Sequence, residues 1–161
     1  MRREVLLLVA LAASACGHRR LDRQSMRSYV IAAPGGAWTP AEGGSADHAW
    51  YQPDLSAVIY ANANCGKRYE DGVLSDLLSH LTFGIAHGDP TEEKPLTIDG
   101  RAALQRTWMG QLDGVTVAIA ATVVKKDTCL YDLLYIAPPS EFDRGIEDYE
   151  AVVGSLRTTG D

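Results

Sequence analysis

Apolar and polar residues alternate along several short stretches of the chain, and a period of two is typical of β-strands. The stretch at 55–63 shows this simply, because every second residue from Leu55 is apolar. Asp113-Gly114 lies between two stretches of strand character and predicts a hairpin turn. The predicted strands lie at 28–33, 55–63, 96–109, 115–124 and 130–137, where 96–109 is one bent strand or a pair broken at Asp99-Gly100.

Two other stretches carry apolar residues at helical spacing. The first begins at Asp71 or Gly72 and ends near Gly88, and the second begins after Ser140, which is predicted to cap it. Their apolar stripes are formed by Leu74, Leu77, Leu78, Leu81 and Ile85, and by Phe142, Ile146, Tyr149, Val153 and Leu156. Loops are expected at 39–49 and 89–95. The sequence therefore predicts an α+β fold with an antiparallel β-sheet of about five to six strands packed by two main helices.

The first residues have a different pattern, with two arginines followed by an unbroken apolar run from Val5 to Ala13. This layout is typical of a secretory signal peptide, and the run is shorter than the roughly 20 residues that span a bilayer. The segment Ala13-Ser14-Ala15-Cys16 resembles the bacterial lipobox, which implies a lipid on Cys16 and hence a membrane anchor. The alternative is ordinary secretion with cleavage after Ala15.

We accordingly expect a signal peptide at 1–15, a lipidated cysteine and basic tether at 16–27, and a single α+β domain at 28–161. Gly17 follows the cysteine, and the absence of aspartate there favours the outer membrane, facing the periplasm. The tether arginines would be attracted to anionic lipid headgroups or would simply be solvated. Removing 1–15 removes two arginines and one glutamate, which leaves 13 basic and 20 acidic side chains and a formal charge of −7. Such a chain is a poor candidate for nucleic-acid binding.

The other two cysteines, Cys65 and Cys129, form an even pair in a chain expected to reach an oxidising compartment. This pairing favours a disulfide. The alternative is a pair of free thiols that bind metal, although no further ligands lie beside either cysteine.

Three segments between residues 28 and 157 resemble the PsbP-like superfamily. These are Tyr29-Val30-Ile31 with Pro34 and Trp38, Ile98-Asp99-Gly100-Arg101-Ala102, and Leu130 to Pro139 with the helix that follows. Members of this superfamily mostly act as binding or assembly modules and share no common catalytic residues. The resemblance therefore implies a module that is not an enzyme.

No catalytic or cofactor-binding motif is found, neither a Gly-x-Ser-x-Gly elbow nor a phosphate loop nor a dinucleotide fingerprint, so no cofactor is expected. His87 and Asp89 are weak candidates for a metal site, or simply polar residues at a helix end. The acids Asp143, Glu147, Asp148 and Glu150 could bind a cation or form a solvated helix face. Trp38, Trp50 and Tyr51 either form a partner surface or cap the core.

The leading hypothesis is an envelope lipoprotein that acts as a non-catalytic protein-binding or assembly module, with a protein partner in the cell envelope. The alternative is a periplasmic module that binds a small molecule or a divalent cation. A hydrolase-like enzyme is the third possibility.

Overall fold

A computed structural model describes residues 28–42, 44–69 and 72–159. The predicted signal peptide, Cys16 and the basic tether lie outside these residues. In chain order the elements are β1 (Tyr29–Val30), β2 (Thr39–Pro40), β3 (His48–Gln52), a 3₁₀ turn (Pro53–Leu55), β4 (Ala57–Cys65), a second 3₁₀ turn (Lys67–Tyr69), α1 (Leu74–Leu81), β5 (Ala86–His87), β6 (Glu92–Ile98), β7 (Arg101–Leu112), β8 (Val115–Lys126), β9 (Cys129–Ala137), α2 (Phe142–Ser155) and β10 (Arg157–Thr158).

An antiparallel sheet forms the centre of the fold. Within the described residues it has eight strands in the order β2-β3-β4-β9-β8-β7-β5, and β6 also pairs with β7. The predicted α+β class is confirmed. The sheet has more strands than predicted because three strands were missed: β2 and β5 are only two residues long, too short to leave a periodic pattern, and β3 begins inside the expected loop at 39–49. The stretch at 96–109 is a pair of strands that turns at Asp99-Gly100.

The two helices cover opposite faces of this sheet. Helix α2 packs on the face, here called the α2 face, that carries Ile59 and Tyr135. Helix α1 packs on the other face, the α1 face, against Trp108 and Ile119. Because side chains alternate between the two faces of a strand, β8 is apolar on both sides and contributes to both cores.

The predicted disulfide is present between Cys65 and Cys129, which are directly opposite each other on β4 and β9. The start of the described chain lies at the same end of the sheet. The Ser28 carbonyl oxygen accepts hydrogen bonds from the Tyr131 hydroxyl at 3.2 Å and the Thr159 amide at 2.9 Å. The short β1–β10 ladder continues from this point. The chain therefore enters the fold at the disulfide end.

Several predicted boundaries are wrong. The strand expected at 28–33 is only Tyr29–Val30, and the loop expected at 39–49 contains β2 and the start of β3. Helix α1 ends at Leu81, because a turn follows in which Gly84 has a φ of +93°. The expected loop at 89–95 contains the first residues of β6, which pair with β7 even though the stretch is polar. The Ser140 side chain does not cap α2; it contacts the Glu141 carboxylate instead, and the residue at the N-cap is Glu141.

Candidate functional site

The β7–β8 hairpin is left uncovered by both helices near its turn. Three of its apolar residues are exposed there: Val115 by 64 %, Met109 by 45 % and Leu112 by 39 %. Phe83, which follows α1, is 90 % exposed. It lies at the same end of the sheet, because β5 begins three residues later and pairs with Gly110 and Gln111. We call these four residues the hairpin end.

The hairpin end is unusual because its apolar residues are concentrated in one place. Exposed apolar residues that occur singly are ordinary on a protein surface. Leu112 and Val115 are opposite each other on neighbouring strands, and both face the α1 side. Met109 lies on the opposite side of the sheet, so both faces of the hairpin present apolar surface. A concentration of this kind is typical of a site that binds another molecule.

The two tryptophans considered for a partner surface belong to the core. Trp38 and Trp50 are 7 % and 5 % exposed, so this prediction is wrong for both. Trp50 points to the α2 face, and the Trp38 ring packs edge-on against Tyr135 at 6.3 Å between centroids. Tyr51 is exposed because it follows Trp50 in the same strand and therefore points to the other face.

The second candidate, His87 with Asp89, is not assembled as a metal site. His87 belongs to β5 and not to a helix end. Its Nδ1 donates to the Gly88 carbonyl oxygen at 2.9 Å, and its Nε2 is 3.0 Å from the Thr82 hydroxyl. Its ring also packs against Trp108 at 5.0 Å between centroids. Both ring nitrogens are therefore held within the chain. The described residues contain no group of three His, Cys, Asp or Glu side chains that could hold a metal ion.

The acids of α2 do not converge on one point. The Asp148 carboxylate accepts a hydrogen bond from the Trp38 indole at 2.8 Å, which fixes the buried ring. The Glu150 carboxylate lies 3.4 Å from the Lys94 ammonium group. Asp143 and Glu147 are exposed on the helix surface. Two of the four acids thus have structural partners, and Asp143 borders a surface depression of about 490 Å³.

A buried acid, Asp132, was not among the predicted candidates. It lies on β9 on the α1 face, between Leu130 and Leu134, and is 7 % exposed. The Asn64 amide donates to its Oδ2 at 3.2 Å, whereas its Oδ1 is buried with no hydrogen-bond partner among the described residues. Burial raises the pKa of the Asp132 carboxyl to about 7, and the Asn64 hydrogen bond opposes this only in part. The signal in the sequence was a single acid within an otherwise apolar strand.

A tyrosine and a threonine form a second buried polar cluster, on the α2 face. The Tyr149 hydroxyl is 2.7 Å from the Thr122 hydroxyl and donates to the Leu133 carbonyl oxygen at 3.1 Å. The Thr122 hydroxyl also lies 3.0 Å from Gln105 Oε1. Burial raises the pKa of Tyr149. Both hydroxyls of this cluster have partners that join α2 to the sheet, so we assign the cluster to the connection between these two elements.

Comparison with known proteins identifies the fold. No protein-family model matches the chain, and no curated protein is significantly similar in sequence. Among solved structures, LpqN, a protein involved in cell envelope biogenesis of Mycobacterium tuberculosis, matches with a TM-score of 0.59 and 16 % identity over 83 % of this chain and 85 % of its own. Cyanobacterial PsbP (CyanoP) from Synechocystis matches with a TM-score of 0.56 and 8 % identity over 82 % and 93 %.

A third similar structure is a protein of unknown function from Pseudomonas aeruginosa, suggested to be a regulator. It matches with a TM-score of 0.56 and 12 % identity, over 84 % of this chain and 85 % of its own. At such low identities these likenesses show the fold and nothing finer. The chain has a PsbP-like fold, as the sequence resemblance implied. No helix of the described residues is long and apolar enough to cross a membrane.

Proposed function

We propose that this chain is an envelope lipoprotein, anchored through a lipid on Cys16 at the outer membrane and facing the periplasm, and that it acts as a non-catalytic protein-binding or assembly module. The observation that carries the binding role is the hairpin end, which presents apolar residues on both faces of the sheet. The similarity in fold to an envelope biogenesis protein and to cyanobacterial PsbP supports the same role.

The position of the hairpin end suits an anchored protein. The chain enters the fold at Ser28, beside the start of β9, and Ala137 at the other end of β9 pairs with Ala118 near the hairpin end. The nine residues of β9 span about 30 Å. An anchor that precedes Ser28 would therefore join the fold at the end of the sheet opposite the hairpin end. The apolar residues would then be available to a protein in the periplasm.

The binding role can be tested with a photoreactive amino acid placed in the full-length protein in living cells. We expect irradiation to give a discrete protein adduct from Val115 and from Met109. Ala151 is a matched control position, because it is exposed on α2 and lies away from the hairpin end. Equal adducts from all three positions, or none from the two hairpin positions, would overturn the binding role.

Anchoring is tested separately by mass spectrometry of the mature protein. Lipidation predicts an N-terminal Cys16 peptide that carries the mass of acyl chains, and a protein that fractionates with membranes. Cys16→Ala is expected to remove both properties. A mature protein that begins at Cys16 without added mass would show ordinary secretion and would refute the anchor without touching the binding role.

A further inference from the structure

A shallow groove crosses the α2 face of the sheet beside the N-terminal end of α2. It consists of two depressions that share Met109. One, of about 490 Å³, has Thr107, Met109 and Ala118 on its floor and Pro139 and Phe142 at its side. The other, of about 430 Å³, continues past Met109 towards Gln111 and Thr116. The groove exists because α2 begins only at Phe142 and therefore leaves this part of β7 and β8 uncovered.

The floor of the groove suits an apolar side chain. Met109 is flexible and polarisable, so it can adapt its shape to different guests. Phe142 and Pro139 form an apolar wall beside it, and Ala118 leaves space because its side chain is small. The floor runs from Thr107 to Gln111 along β7, which is about 13 Å and matches roughly four residues of extended chain.

The carboxylates give the groove its formal charge. Asp143 and Glu92 line the first depression, no lysine or arginine of the described residues lines either one, and the His87 ring lies in the second depression, away from Asp143. Lys94 lies 3.3 Å from the Glu92 carboxylate and partly neutralises it. Asp143 has no comparable ion pair among the described residues and stands beside the apolar wall. The groove therefore complements a guest that carries a positive charge next to an apolar group.

We propose that this groove binds an extended segment of a protein partner in which an apolar side chain lies next to a lysine or arginine. The apolar side chain would occupy the depression between Met109 and Phe142, and the basic side chain would lie against Asp143. This inference rests on the proposed protein-binding function and adds the chemistry of the segment that is recognised.

The test uses the purified protein and a fluorescent peptide that has one leucine flanked by lysines in a Gly/Ser background. A second peptide, in which glutamates replace the lysines, is the matched probe. We expect the lysine peptide to bind saturably, with an affinity that salt weakens, and the glutamate peptide not to bind. Amide chemical-shift changes should be confined to Thr107, Met109, Ala118 and the first turn of α2.

Two variants on the same helix separate a local charge contact from a general attraction. Asp143→Asn removes the carboxylate at the groove and should weaken binding of the lysine peptide about two- to fivefold. Glu147→Gln removes an exposed carboxylate one turn further along, outside the groove, and should leave the affinity unchanged. Both residues are exposed, so neither variant is expected to impair folding.

The inference is overturned if both peptides bind equally, if the shift changes map elsewhere, or if the two variants behave alike. It is also overturned if the same amides shift with protein concentration alone, which would indicate a second copy in the groove, or respond only to anionic vesicles. Should Met109 form an envelope adduct while the lysine peptide fails to bind, the protein-binding function would stand and this inference would fail. If instead the lysine peptide binds in the groove but Met109 forms no envelope adduct, the protein partner in the envelope is refuted and the chemistry proposed for the groove stands.

Discussion

Asp132 is predicted to make the fold less stable at neutral pH than it is in mild acid. Its carboxyl group is buried among leucines, and its Oδ1 has no partner among the described residues. The negative charge formed on ionisation is therefore poorly solvated. We expect Asp132→Asn, which keeps the shape of the side chain and cannot ionise, to stabilise the protein at pH 8.

The size and sign of the effect follow from the raised pKa. Burial moves the pKa of the Asp132 carboxyl from 3.8 to about 7 in the folded protein. Each pKa unit corresponds to about 1.4 kcal/mol, so the ionised form costs up to about 4 kcal/mol in the free energy of unfolding. The pKa of Asp132 is higher in the folded protein than in the unfolded chain. The neutral carboxyl group therefore makes its full contribution to the free energy of unfolding below about pH 4. It declines between about pH 4 and 7, and no further loss from this group follows above pH 7.

Urea denaturation of the wild-type protein and Asp132→Asn, from pH 4 to pH 8, measures this effect. Near pH 4 both side chains are neutral, and the two proteins should differ by about 1 kcal/mol or less. At pH 8 the variant should be more stable by up to about 4 kcal/mol. Glu147→Gln is the control, because it removes one exposed carboxylate and should change stability by about 0.5 kcal/mol or less.

The titratable group that faces Asp132 from the neighbouring strand is Tyr60, whose own pKa is raised to about 12 by burial and by the Asp132 charge. Tyr60 therefore stays neutral throughout the pH range of the experiment and does not confuse it. The reasoning is refuted if the stability curves of the wild-type protein and Asp132→Asn run parallel from pH 4 to pH 8. Parallel curves would mean that the folded protein solvates the charge as well as water does.

Two further predictions concern the disulfide and the contact between α2 and the sheet. Replacing Cys65 and Cys129 together by serine should lower the free energy of unfolding by about 4 kcal/mol, because the disulfide closes a loop of 64 residues; denaturation curves that match those of the oxidised wild-type protein would contradict this. Gly145→Ala should destabilise the fold by about 1–3 kcal/mol, because its Cβ would lie 2.5 Å from the Tyr135 hydroxyl. Gly154 in the same helix is the control, because a Cβ there meets no neighbour within 4 Å. In the same denaturation experiments Gly154→Ala should be neutral or stabilising by up to about 1 kcal/mol. Equal losses of stability in the two variants would argue against the close contact at Gly145.

The sequence could predict those strands and helices that bury one face, because the buried face sets the spacing of their apolar residues. The alternation that begins at Ala57 continues through β4, because every second residue up to Ala63 is buried on the α2 face of the sheet. The leucine stripe predicts helix α1 in the same way, but the stripe extends to Ile85 and therefore predicts a helix longer than the one observed. Ile85 has the right spacing and packs on the same cluster, but it does so from the turn after α1. The spacing of apolar residues thus identifies which side chains are buried more reliably than it identifies the secondary structure that carries them.

The candidate site was harder to predict because exposure depends on what lies above a residue, which the sequence does not contain. Trp50 and Tyr51 are adjacent and similar in character, and the strand sends one into the core and leaves the other in solvent. Met109 reads as one more apolar strand residue, and it is exposed where α2, which starts at Phe142, leaves β7 uncovered. Asp132 shows the opposite case, since a single acid in an apolar strand is visible in the sequence, but its missing partner is not. Residues of this kind gain their roles from neighbours that are distant in the chain, and the pairing of the strands together with the packing of the helices decides which neighbours those are.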